Sequence, residues 1–148
     1  MIQRIQTLYL LVAALLCGAM FLLPLMWFGF EGDQLLLGAL SIQKGGEAVA
    51  DVPLYFPILL GVATALPLLT LLLFKRRVLQ LRLCAVEAVL LFGLLCMEAM
   101  LYWGPRAFER GSLMPASFLP IAALFFVLLA AKGIFKDEML VRSLSRIR

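Results

Sequence analysis

The chain has no histidine, three cysteines and little charge, with 15% of its 148 residues Asp, Glu, Lys or Arg. Without imidazole it lacks the side chain that most often moves protons near neutral pH, and the commonest metal ligand. Cys17, Cys84 and Cys96 show no C-x-x-C spacing and stand in apolar surroundings, so they read as small hydrophobes. There is no Gly-rich phosphate loop. Ser41, Ser112, Ser117, Ser143 and Ser145 fall in loops, in the tail or at a helix start without a base beside them. Enzymes need a nucleophile with its base, or a metal cluster. The expectation is therefore a non-enzymatic protein with no cofactor and no metal.

Scarce charge also excludes an ordinary soluble domain, which carries ~25% charged residues. Here 64% of the residues are hydrophobic. They fall in four blocks free of Lys, Arg and Asp: Ile5–Phe30, Val52–Phe74, Leu83–Pro105 and Gly111–Ala131, of 26, 23, 23 and 21 residues. A helix needs ~20 residues to cross a hydrocarbon core of ~30 Å, so each block is long enough. None shows the alternation of barrel strands. The predicted fold is an all-α membrane protein, an antiparallel bundle of four transmembrane helices in one domain. The spans are expected at about 5–30, 53–74, 82–104 and 115–134, with a tail over 135–148.

The first block is too long for a cleaved signal, whose apolar core is ~7–15 residues. Cys17 faintly suggests a lipid attachment site, but bulky Leu16 stands where a small residue is wanted. The segment is expected to stay.

Charge gives the orientation. Ten of the 13 basic residues share one side if the N-terminus is inside: Arg4, Lys75, Arg76, Arg77, Arg82, Lys132, Lys136, Arg142, Arg146 and Arg148. Lys44, Arg106 and Arg110 then lie outside. Positive charge resists translocation, so both termini are expected in the cytoplasm of a multi-pass protein of the bacterial inner membrane. The first outer loop agrees, carrying Glu31, Asp33, Glu47 and Asp51 against one lysine. Aromatics at the outer ends (Trp27, Phe28, Phe30, Tyr55, Phe56, Tyr102, Trp103) suit an interfacial belt. The net charge of +4 is thus explained by topology, and no nucleic-acid partner is implied.

Within that loop, Gly45-Gly46 between short apolar stretches signals a small hairpin, with an interfacial helix through Leu35–Ile42 as the competitor. Pro24 is expected to kink the first helix and Pro67 the second. Small residues at Ala13, Ala14, Cys17 and Gly18, and at Gly61 and Ala65, permit close helix contact. In the tail, Leu140, Leu144 and Ile147 oppose Glu138, Arg142 and Arg146 at helical spacing, which suits an amphipathic helix along anionic lipid or a simple topology anchor.

Glu87 and Glu98 are the only charged side chains inside the four blocks. Eleven residues apart, they fall within ~20° on one helix face and about 16 Å apart along it, one in each leaflet. An intramembrane acid must pair, neutralise or meet water. Two readings stay open: a polar track for protons or cations, or local satisfaction. For Glu87 the partners would be Gln3, Gln6, Thr7 or Arg82; for Glu98, Arg106 or the outer surface.

Three stretches carry a resemblance: Met1-Ile-Gln-Arg-Ile-Gln-Thr-Leu-Tyr-Leu-Leu11, Phe74-Lys-Arg-Arg-Val-Leu-Gln-Leu-Arg-Leu-Cys84 and Phe135-Lys-Asp-Glu-Met-Leu-Val-Arg-Ser-Leu-Ser-Arg-Ile-Arg148. Together they resemble an uncharacterised family of small four-span inner-membrane proteins of the Bacteroidota, the domain-of-unknown-function family 4293. The resemblance covers essentially the whole chain and implies location and topology, but no activity.

All three stretches lie on the predicted inner side. Arg4, Lys75, Arg76, Arg77, Arg82, Lys136, Arg142, Arg146 and Arg148 make a basic face there, with Asp137 and Glu138 placed to pair with its arginines. That face is the candidate site for anionic lipid or a membrane partner, another subunit or a second copy. The expected function is an accessory or scaffold subunit. The alternative is a proton- or cation-handling protein using Glu87 and Glu98.

Overall fold

The first apolar block does not stay helical. In the computed structural model, which describes residues 2–30, 33–73, 76–103 and 110–145, helix α1 covers Ile2–Ala19. The chain then turns tightly, with Met20 N–H donating to Cys17 O and Phe21 N–H to Gly18 O, both at 3.2 Å. Pro24 disfavours the α region at Leu23 and has no N–H to offer. The aromatic run Met26–Phe30 becomes strand β1. The expected span over 5–30 is thereby corrected. Hydropathy alone does not separate one long helix from a helix followed by a strand on apolar partners.

Strands β2 (Asp33–Leu37), β3 (Ser41–Lys44) and β4 (Glu47–Asp51) continue from β1, and β5 (Arg110–Leu113) joins from the connection between the third and fourth helices. They form one antiparallel sheet in the order β4-β3-β2-β1-β5, so the all-α expectation is corrected to helices plus a five-stranded sheet. The anticipated hairpin is its β3–β4 end. Lys44 pairs with Glu47 around Gly45 and Gly46, whose φ of 61° and 94° are those of a type I′ turn. The competing interfacial helix is not formed, because Leu35–Leu37 lie in β2 and Ser41–Ile42 in β3.

Two features hold the sheet to the helices. Met26, Phe28 and Leu37 are buried in the same core as α1 and α2. Leu25 is also a backbone hub. Its N–H donates to Leu37 O (2.8 Å), and its carbonyl accepts from Met114 N–H (2.9 Å) and from the buried Ser117 hydroxyl. Ser117, read from sequence as partnerless, therefore stitches the two connections together.

Helix α2 spans Tyr55–Leu72, with Pro57 in its first turn and Pro67 inside. Helix α3 spans Arg77–Trp103, and a 3₁₀ turn over Pro115–Phe118 leads into α4, Leu119–Ser145. The tail, expected to continue the fourth helix at helical spacing, is helical within α4 as far as Ser145. Helices α1 and α3 each pack against both α2 and α4. Small buried residues line these contacts (Ala13, Cys17, Ala63, Ala123, Ala130), letting the backbones approach. Gly18 faces the Thr64 methyl as expected, whereas Ala65 is exposed and nothing stands near Gly61, so that pair makes no close contact within the chain.

The exposed faces are apolar: Leu8, Leu15, Leu69, Val89, Phe92, Phe125 and Leu128 all point outward. So large an apolar surface needs covering by lipid or protein. Among the described residues, three helical stretches are long and apolar enough to cross a membrane (Tyr55–Leu72, Arg77–Trp103 and Pro115–Val141), while the apolar part of α1, Ile5–Ala19, is shorter. Two aromatics assigned to an interfacial belt, Phe28 and Phe56, are core residues instead.

Candidate functional site

One face of α3 is buried along its length: Gln80, Cys84, Glu87, Leu91, Leu94 and Glu98. The alternating steps of four and three residues keep them on a single stripe. Glu87 is 1% exposed and Glu98 4%, so the shared face deduced from their spacing points inward. Neither oxygen of Glu87 has a hydrogen-bond partner among the described residues, and Oε1 of Glu98 has none either. Gln6, proposed as a partner for Glu87, is engaged elsewhere. Arg106, proposed for Glu98, lies outside the described residues.

Gln6 Nε2 donates to Asp137 Oδ2 at 2.8 Å, and both groups are buried. Gly133, one turn back on α4, makes the room: a Cβ there would stand 2.9 Å from Gln6 Cγ. The Arg77 guanidinium reaches the backbone carbonyl of Asp137 at 3.4 Å. Helices α1, α3 and α4 are therefore tied at the end of the helices opposite the sheet. The tail is tied to the α2–α3 turn through the Asp137 main-chain carbonyl, and to α1 through Gln6. Nearby, the Gln80 amide donates to Thr70 O (3.3 Å), closing the α2–α3 turn.

Outside this knot lies a cavity of about 530 Å³ walled by Arg76, Arg77, Arg82 and Glu138, with Val78, Leu79 and Val141 as its apolar side. Of the predicted basic residues, the structure brings Arg76, Arg77 and Arg82 together here. Lys136 is exposed on α4. Arg4 and Arg142 sit on α1 and α4, but their side chains lie outside the described residues, as do Lys75, Arg146 and Arg148 entirely.

Sequence reasoning missed Gln6 and Asp137 as a buried pair. A signal existed for Asp137, since Val127, Ala130, Ile134 and Asp137 step by three and four along the buried face of α4. Among the described residues no group of three His, Cys, Asp or Glu side chains is placed to hold a metal ion.

Apolar helices capped by a sheet, with a basic cavity at the far end, have the architecture of a membrane protein. The family model described as Domain of unknown function (DUF4293) matches residues 2–147, and the chain belongs to that family. No curated protein matches it.

Proposed function

We propose that this is a non-enzymatic accessory or scaffold protein of the bacterial inner membrane that docks anionic lipid through its basic face. The observation that carries the reading is the arginine-walled cavity between the start of α3 and the end of α4. Guanidinium groups bind phosphate oxygens in forked geometry, and Val78, Leu79 and Val141 suit the first acyl carbons below a headgroup. Such a pairing is expected at a cytoplasmic boundary, where each basic residue gains ~1 kcal/mol near anionic lipid.

The orientation with both termini inside rests on the same arginines, together with the 10-to-3 split of basic residues. In it, α1 is the fourth span of an antiparallel bundle, its short apolar stretch extended by the turn through Met20–Leu25. The sheet edges favour an outer position for the sheet, because unpaired strand groups are not tolerated in hydrocarbon.

The test is native mass spectrometry of the detergent-purified chain offered phosphatidylglycerol and phosphatidylcholine together. Selective retention of the anionic lipid, lost in Arg76→Gln/Arg82→Gln, is the expected result. Arg77 is left in place because it holds Asp137. Equal retention of both lipids would refute the reading.

The unpartnered oxygens of Glu87 support a second reading, proton or cation handling by Glu87 and Glu98. It requires flux in proteoliposomes above that of empty vesicles, abolished by Glu87→Gln/Glu98→Gln.

A further inference from the structure

Glu98 has a setting that Glu87 lacks, because it stands on the wall of an opening. At the sheet end of the α3–α4 seam, Leu95, Glu98, Tyr102 and Trp103 face Ser117 and Phe118 across a cavity of about 210 Å³. The steps from 95 to 98 and from 98 to 102 keep the first three on one helix face. Trp103 is 78% exposed and Phe118 54%, so the mouth opens on the outer surface of the helices rather than into the core.

The other polar groups at this cavity are already committed. The Ser117 hydroxyl donates to Leu25 O, and the Tyr102 hydroxyl to Gly111 O at 3.3 Å. Glu98 lines this opening as an almost wholly buried acid whose Oε1, itself buried, has no hydrogen-bond partner among the described residues, with apolar side chains and three aromatic residues around it. Aromatic faces carry negative potential and attract cations. A buried carboxylate likewise calls for a compensating positive charge. A small metal ion would arrive hydrated and find too few oxygens to replace its water. An alkylated ammonium has diffuse charge and apolar surface, and matches both the acid and the rings.

We propose that this cavity binds an organic ammonium group, with Glu98 as its counter-ion and Tyr102, Trp103 and Phe118 as its cage. The site is at the opposite end of α3 from the arginine-walled cavity and does not depend on the lipid reading.

The chain has two tryptophans, so Trp27→Phe leaves Trp103 as a built-in reporter at the rim. Hexyltrimethylammonium titrated into that full-length variant should change the tryptophan emission saturably. The neutral analogue, with carbon in place of nitrogen, should bind at least about tenfold more weakly. Glu98→Gln should lose a similar factor, equivalent to about 1.4 kcal/mol. Ala99→Leu, which keeps the acid and fills the cavity, should abolish the signal. Equal binding of the neutral analogue, or unchanged binding in Glu98→Gln, overturns the proposal. Should Glu98→Gln fail to fold, the comparison of charged and neutral ligands and the Ala99→Leu variant still decide. Competition from phosphatidylethanolamine nanodiscs, but not phosphatidylglycerol ones, would assign the ammonium to a lipid headgroup. Binding undiminished by either would assign it to a soluble amine, and both results uphold the site.

Discussion

Glu87 is destabilising where it stands. Both its oxygens are buried and without a hydrogen bond among the described residues, and such an orphaned polar group costs ~1–3 kcal/mol. Its neighbours on the buried stripe, Leu91 and Leu94, show what the position accommodates. Glu87→Leu is therefore expected to raise the thermal midpoint in detergent by ~2–10 °C. A fall instead would mean that Glu87 holds a partner worth more than its burial costs. The inward stripe itself was legible, because helical periodicity alone puts Glu87 and Glu98 together. The partner of Asp137 was not. Gln6 lies 131 positions away, and the bond depends on α1 lying beside α4 and on Gly133 leaving space.

At the scale of elements, the junction of β1 with β5 binds the two halves of the chain. Gly111 pairs with Phe28, and a Cβ at 111 would fall 2.7 Å from the ring. Gly111→Val must push Phe28 out of the core or break the strand pair, at ~1–3 kcal/mol by the usual cost of overpacking. Thermal unfolding should show the loss, and hydrogen exchange should show weaker protection of β1 amides. Unchanged stability would mean that β5 is not a structural part of the sheet. Helices α2, α3 and α4 were readable because their apolar runs are bounded by charge or proline. The sheet was mostly hidden. Strand β1 is buried in an apolar block indistinguishable from a span, and β5 gains its strand character only from β1. Gly45-Gly46 alone signalled its turn locally.

Over the whole molecule, polarity is arranged by ends: a sheet with exposed acids at one, a tied and arginine-rich corner at the other, and apolar helix faces between. The basic corner was visible in sequence as a charge bias, but its cavity was not, since that needs α3 and α4 side by side. If the cavity is a lipid site, the folded chain should be stabilised by the lipid it selects. A ligand at 100 times its Kd adds ~2.7 kcal/mol, which is ~5–10 °C in Tm for a chain of this size. The most direct measurement is the Tm of the delipidated full-length protein titrated with phosphatidylglycerol or phosphatidylcholine, beside Arg76→Gln/Arg82→Gln. A rise of that order with phosphatidylglycerol alone, absent in the variant, is the predicted result. The same rise with both lipids, or in the variant as well, would contradict it.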